Sequence, residues 1–244
     1  MKEVYADLHL CPDLANDKQV KGMITKAADL GYRLLAINLS GKFSEEATQK
    51  IRRLCKEEGI DFASRIDLNP KTPRELIRNL RKIRRRFELV AVKCISKNIS
   101  RQAAKDRRVD ILNFPYYDPR RRFFDRAEAE LASNAKASFE VDMKLLLTLE
   151  GRRRIRLLSC LRREVHIAEK FHVPIVISSG ATDELLMRRP LDTAALTSLF
   201  DLSSPLSIQA ISTNPMTIIK RNREKLHPSF IAPGVRLIRK GRDC

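Results

Sequence analysis

The sequence predicts a single-domain (β/α)8 fold of the TIM-barrel-like class, on three observations. Short strand-like runs alternate with amphipathic helix-like stretches about eight times across the 244 residues. Most of those runs are apolar throughout, as parallel strands covered on both faces require. No Gly/Ser-rich linker, low-complexity segment or internal repeat interrupts the series, so residues 1–244 read as one domain with a short basic tail from about 235 to 244. An open doubly wound sheet is the alternative. Neither G-x-G-x-x-G nor G-x-x-x-x-G-K-[ST] follows any strand, so a nucleotide-binding version of it has no direct support.

Taken in order, the strand candidates are residues 4–9, 34–38, 61–66, 89–93, 109–114, 138–141, 174–178 and 208–212. Helix signals fill the gaps. Gly31 and Gly59 stand where helices should stop, because glycine supplies the left-handed cap. Ser44, followed by Glu45 and Glu46, marks a helix start with acids at the positive end of the dipole. Beyond it, Ala47, Ile51, Leu54 and Cys55 fall on one face at helical spacing. Asp125 with Glu128 has the form of a capping box, and Asn214-Pro215 that of a cap followed by proline in the first turn.

Composition bounds the function. Lysine plus arginine total 48 against 30 acids, a net charge of +18, with hydrophobic residues at 43%, enough to exclude disorder for want of apolar material. Arginine outnumbers lysine 30 to 18, and its planar fork matches phosphate oxygens as lysine does not. A compact chain at +18 repels itself unless a polyanion neutralises it, and nucleic acid is the natural candidate. The alternative is a generally basic proteome or a high-salt or hot habitat. No apolar span approaches the ~20 residues of a membrane helix, so no membrane partner is expected. No secretory signal opens the chain. Five scattered cysteines without a C-x-x-C pair fit a reduced, cytoplasmic chain.

Two basic segments are candidate RNA contacts. Residues 71–86 carry eight basic side chains against the one acid Glu75. Leu76, Ile77, Leu80 and Ile83 form its apolar stripe, while Arg78, Arg81, Lys82 and Arg85 recur on another face as a basic ridge. Residues 115–126, PYYDPRRRFFDR, follow the fifth strand, and two prolines preclude regular structure across them. Tyr116, Tyr117 and the triplet Arg120, Arg121 and Arg122 combine stacking rings with phosphate-binding forks. Phe123 and Phe124 are also explained as anchors for the next helix. Arg107 and Arg108 add a further basic pair, and replacing Arg120, Arg121 and Arg122 together is expected to weaken RNA-linked activity while leaving the fold's melting nearly unchanged.

Catalysis finds little. A barrel enzyme works at the C-terminal ends of its strands, which here offer Asp7, His9, Asn38, Arg65, Asp67, Lys93, Asn113, Glu140, Asp142, Ser178, Ser179, Ser212, Thr213 and Asn214. Asp7 and His9, two residues apart, are expected on one side of their strand, more as a buried hydrogen-bonded pair than as metal ligands. An H-x-H metal pattern would need histidine at position 11, which is Cys11, and the chain has four histidines in all. Arg65 and Lys93 end neighbouring strands, where they either bind a phosphate at the barrel mouth or pair with Asp7, Asp67 or Glu140. Ser178-Ser179-Gly180 lacks the G-x-S-x-G surroundings of a nucleophile elbow.

The segments YADLHLC (5–11), LGYRLLAIN (30–38), SRIDL (64–68), VDILNFP (109–115), FDRAEAELA (124–132), FEVDMKLLL (139–147), VPIVISSGA (173–181) and AISTNP (210–215) are together similar to the archaeal ribonuclease P protein component 3 family. The resemblance covers nearly the whole chain through the order and spacing of its motifs. It implies a barrel related to the metal-dependent phosphoesterases of the PHP type but with a degenerate metal site, Asp7 and His9 being its remnant. It implies a subunit of the ribonucleoprotein endonuclease that removes the 5′ leader from precursor tRNA. In that assembly the RNA subunit performs the hydrolysis with Mg²⁺, and this chain would carry no cofactor or catalytic residue. Expected partners are the ribonuclease P RNA, protein component 2, the other protein subunits and, through the complex, precursor tRNA. The alternative is a stand-alone metal-dependent phosphoesterase using Asp7, His9, Asp67 and Glu140.

Overall fold

A computed structural model describes residues 3–39, 44–232 and 234–238. Seven parallel strands follow in chain order around one sheet: β1 (Tyr5–Leu10), β2 (Tyr32–Asn38), β3 (Asp61–Leu68), β4 (Leu89–Lys93), β5 (Ile111–Asn113), β6 (Ser138–Asp142) and β7 (Ile175–Ser178). Helices α1 (Asp17–Leu30), α2 (Glu45–Glu57), α3 (Pro73–Ile83), α4 (Lys97–Lys105) and α5 (Arg126–Ala135) make the first five crossovers, and α6 (Met143–Thr148) with α7 (Gly151–Lys170) makes the sixth. The expected caps form. The Ser44 and Asp125 side chains accept from the amides of Ala47 and Glu128, and Gly31 closes α1 at φ +98°.

The architecture is the TIM-barrel-like one expected, with seven strands in place of eight. The eighth strand candidate, 208–212, lies largely in helix α9 (Ser204–Ile211), which follows α8 (Pro190–Leu196). Ser203-Ser204-Pro205 supplies a helix start, and so short a segment, apolar only at Ile208, Ala210 and Ile211, cannot by itself tell buried helix from strand. No strand ladder joins β1 to β7 among the described residues. Instead the Cys11 amide donates to the Ala181 carbonyl at 2.8 Å, and α10 (Thr213–Leu226) packs across the gap. Asn214 does not cap α10. It lies inside the first turn and donates to the free carbonyl of Ile175 at 2.8 Å, satisfying an edge that no strand covers.

Two apolar layers result. The outer one fills the space between sheet and helices, and there Phe124 stacks on Phe139 with ring centroids 4.6 Å apart, as a helix anchor. The inner layer is built of small and branched side chains, among them Ala6, Leu34, Ala63, Ala91 and Val176. Ile218 and Ile219 of α10 complete it and plug the barrel at the end opposite its mouth. Beyond α10 a two-stranded hairpin, β8 (Phe230–Ala232) with β9 (Val235–Arg236), begins the expected basic tail, of which 239–244 lie outside the described residues.

Candidate functional site

The mouth of the barrel gathers the charged strand-end residues the sequence singles out. Arg65 is wholly buried at its centre. Its Nη1 and Nη2 donate to Glu140 Oε1 and Oε2 at 2.6 and 2.7 Å, its Nε donates to Asp67 Oδ1 at 2.7 Å, and Nη1 also reaches the Leu8 carbonyl at 2.6 Å. Glu140 further accepts from Ser178 Oγ and Asn113 Nδ2, each at 2.8 Å. Of the two roles open to Arg65, pairing is therefore the one adopted, and no donor fork is left facing solvent for a phosphate. Lys93, the other candidate, is half-buried at the end of β4.

His9 sits between two carboxylates. Nδ1 lies 2.7 Å from Asp142 Oδ1 and Nε2 lies 2.9 Å from Asp67 Oδ2. A ring with both nitrogens against carboxylate oxygens must donate from both, so His9 is an imidazolium. Burial and the Arg65 charge pull its pKa down, but Asp142 and Asp67 outweigh them and hold it well above the ordinary histidine value. Burial acts to raise the pKa values of Asp67 and Asp142. The cations beside them prevail and hold both carboxyls below the usual carboxylate range.

Asp7 and His9 do not share a face. The register of β1 against β2 shifts between Asp7 and Leu10, and this bulge turns the His9 ring into the mouth. The Asp7 carboxylate instead accepts from the amides of Ser179 and His9 at 3.0 and 3.1 Å, stitching β1 to β7. Burial raises its pKa, and its Oδ2 has no hydrogen-bond partner among the described residues. Gly180 closes this corner at φ +60°, where a Cβ would stand 3.1 Å from the Asp142 side chain, so only glycine suits the position.

Ligand atoms of His9, Glu140 and Asp142 lie within 4.8 Å of one another, near enough for one divalent cation. The donor set does not suit one. The Glu140 oxygens already hold the Arg65 fork, and His9 offers protons where a metal needs lone pairs. Two fixed cations, a guanidinium and an imidazolium, stand among the carboxylates that a metal would have to share. The four residues of the phosphoesterase alternative, Asp7, His9, Asp67 and Glu140, are thus engaged in structural bonds, and no metal-assisted step follows from them.

The His9 clamp has a testable sign. Its folded pKa is raised, so its stabilisation is fully present below the unfolded value near 6.5 and is lost as pH climbs through the folded value. The depressed carboxyls act oppositely, stabilising above about pH 4 and failing as pH falls through their folded values. The stability difference between the native chain and His9→Asn should therefore peak between about pH 4 and 6.5. Above that it should shrink by about 1.4 kcal/mol per pH unit until His9 deprotonates. Urea titrations across pH measure this, and a difference flat from pH 6 to 9 would refute the imidazolium.

The RNA-contact candidates divide by burial. Arg78, Arg81 and Lys82 are exposed along α3 as the expected ridge requires, whereas Arg85, also exposed, lies in the turn beyond the helix end at Ile83 and so leaves the helical face. Arg120 and Arg121 are exposed in a short 3-10 turn, Pro119–Arg121. Arg122 is not: it is buried against Glu164 of α7, with Nη2 2.5 Å from Oε2 and Nη1 2.8 Å from the carbonyls of Phe114 and Tyr116. The expectation that the whole triplet is dispensable for folding is corrected accordingly. Tyr116 and Tyr117 are half-buried, with arginines already over their rings: Arg121 at 3.4 Å from the Tyr116 centroid, Arg153 at 5.8 Å from that of Tyr117. Arg108 is held by Asp106 at 2.6 Å, whereas Arg107 is exposed. Arg101, Arg221 and Arg223 also form ion pairs that no sequence pattern announced.

Comparison with known proteins places this geometry. Residues 4–227 match the model of the family described as RNase P subunit p30. Ribonuclease P protein component 3 of Methanosarcina mazei is 30% identical over 231 residues, 95% of this chain and 93% of that protein. The Haloarcula marismortui protein of the same name is 26% identical, covering 96% and 97%. Among solved structures, a chain of archaeal ribonuclease P, imaged by cryo-EM with mature tRNA, superposes with a TM-score of 0.84 at 21% identity, covering 97% of this chain and 99% of that one. A putative prolidase from Bifidobacterium longum gives a TM-score of 0.52 at 10% identity, covering 90% and 70%. Both structural likenesses describe the fold. The family match and the length of the sequence match settle kinship: this chain belongs to the ribonuclease P subunit p30 family.

Proposed function

We propose that the chain works inside ribonuclease P as a non-catalytic, RNA-binding barrel. As a p30-family chain it is a protein subunit of that tRNA-processing holoenzyme, with RNA and protein as its partners. In our reading it helps organise the catalytic RNA together with protein component 2. The RNA, with Mg²⁺ bound to it, removes the 5′ leader from precursor tRNA, and this chain needs no cofactor. The observation that carries the reading is the contrast between mouth and surface. At the mouth, Arg65 and His9 are locked onto Asp67, Glu140 and Asp142. Outside, exposed arginine and lysine line α3 with few carboxylates opposite. No helix among the described residues is long and apolar enough to cross a membrane. Cys11, Cys55, Cys94 and Cys160 are free thiols, which supports a reducing, cytoplasmic setting.

Phosphate contacts should dominate affinity. With ~6–10 phosphates neutralised, log affinity for ribonuclease P RNA should fall with log salt at about −0.7 to −0.9 per contact. Filter binding at stepped potassium chloride measures the slope. A holoenzyme reconstituted without this chain should lose cleavage of precursor tRNA, and the isolated chain should turn over no phosphodiester. Salt-independent binding, or chelator-sensitive turnover by the chain alone, would refute the proposal.

A further inference from the structure

Beneath the barrel, at the end that α10 plugs, the loops after α3 and α4, the C-terminal end of α5 and the last turns of α10 meet the β8–β9 hairpin. Two adjoining clefts of about 870 and 580 Å³ open there, sharing Arg107, Lys225 and Phe230 in their walls. Their basic residues come from five separate places in the chain. Arg84 and Arg85 follow α3, Arg107 and Arg108 follow α4, and Lys136 ends α5. Arg221 and Lys225 lie on α10, and Arg236 comes from the hairpin. No single stretch of sequence carries this cluster.

The opposing charge is small. Glu224 lines the larger cleft. Asp106 is occupied by Arg108. Asp110, buried behind the wall, accepts from both Arg84 at 3.3 Å and Arg221 at 3.0 Å on the one oxygen Oδ1, while its Oδ2 takes the Val90 amide. Two guanidiniums thus share one carboxylate, and Arg85, Arg107, Lys136, Lys225 and Arg236 have no carboxylate partner among the described residues. The C-terminal dipoles of α3, α4 and α5 favour some cations here, but a dipole end amounts to about half a charge and does not balance eight basic side chains. Crowding is felt within the cluster: burial, Arg221, Arg84 and Lys136 together push the Lys225 ammonium below its ordinary pKa, against Asp110. Other arginines of the chain are neutralised internally, Arg223 by Asp61 and Glu88 and Arg122 by Glu164.

We infer that this cleft, and not the barrel mouth, holds the ribose-phosphate backbone of a folded RNA. This rests on the proposed role as an RNA-binding subunit and names the surface that performs it. Backbone and not base is the ligand: the walls offer forks and ammonium groups for phosphate oxygens, and the one aromatic ring shared by the clefts, Phe230, is half-buried in the hairpin rather than presented for stacking. Exposed apolar side chains of the hairpin, Ile231 and Val235, and Ile238 just beyond it, form a lip beside the charge. A protein partner seated on that lip is the competing outcome.

The test is Arg85→Gln/Arg107→Gln/Lys225→Gln in the full chain, against a control with equal charge removed on α7, Arg152→Gln/Arg154→Gln/Arg156→Gln. Labelled ribonuclease P RNA is the probe, from about 50 to 200 mM salt, with the chain alone and with the other protein subunits. The cleft variant should bind at least tenfold more weakly and flatten the log–log salt slope by about one for each contact removed. The control should change affinity by less than threefold, and both should melt as the native chain does. Unchanged slope, or equal losses in the two variants, would overturn the assignment while native binding stayed salt-dependent. Loss of a protein subunit at unchanged RNA affinity would also overturn it and give the cleft to a protein. A native chain without salt-dependent binding would instead sink the underlying role. If the cleft variant melts early, Arg107→Gln alone, an exposed residue with no hydrogen bond or ion pair among the described residues, reads the same slope.

Discussion

Arg65→Met should cost about 3–5 kcal/mol, because it removes one partner of a buried charge network and leaves the others in place. Four of the five guanidinium N–H groups are used, on Glu140, Asp67 and the Leu8 carbonyl. Without them Glu140 keeps the neutral donors Ser178 and Asn113 and the more distant His9 ring, 3.8 Å from its Oε2, and Asp67 keeps His9 and Asn38. For a chain of this length the loss corresponds to a melting temperature lower by about 6–20 °C. Methionine matches the arginine stem, so the effect reports charge more than cavity. Arg65→Met combined with Glu140→Gln should recover part of the loss, since the stranded carboxylate goes too. A single variant within about 1 kcal/mol of the native chain would mean that water already solvates the mouth, and the network would not be structural.

Burial of that network explains what the sequence could and could not disclose. Strand candidates 61–66, 89–93, 138–141 and 174–178 fall on β3, β4, β6 and β7 because period and turn chemistry are local signals. The assignment of Ile208–Ser212 failed because five residues with only Ile208, Ala210 and Ile211 apolar satisfy helix and strand alike, and the deciding fact is that β1 and β7 are bridged by helices rather than by a further strand among the described residues. At the mouth, every residue of the network stood on the strand-end roster, yet the roles of Arg65 and His9 depend on which strands are opposite. The bulge in β1 that turns His9 away from Asp7 leaves no mark in DLHLC. Charge is the converse case. The total was legible and the pairing was not: Arg65 and Arg122 stood among the phosphate-contact candidates, and only the fold sets Glu140, 75 residues along the chain, and Glu164, 42 residues along, against them. Lys136 stands alone in sequence, and Lys225 and Arg236 belong to basic stretches that carry no sign of facing it, though the fold brings the three to one cleft.

The second large effect separates Arg122 from its neighbours. Arg122→Leu should destabilise the chain by about 3–5 kcal/mol, because Glu164 stays buried without its cation and the carbonyls of Phe114 and Tyr116 lose their donor. Those two carbonyls belong to the segment that leaves β5, so Arg122 fixes the course of residues 114–122 over α7. Arg120→Ala/Arg121→Ala removes two exposed guanidiniums and should move the melting midpoint by no more than about 1–2 °C, leaving any loss to appear in RNA binding. Arg122→Leu should do the reverse: a midpoint lower by about 6–20 °C and, at temperatures where the variant remains folded, a salt slope for RNA unchanged. Thermal melts and filter binding on the same preparations distinguish the two. Equal melts for both variants would return Arg122 to the surface and remove the Glu164 clamp from the account of the fold. If the separation holds, three consecutive arginines divide between two jobs, and what divides them is a single buried carboxylate forty-two residues downstream.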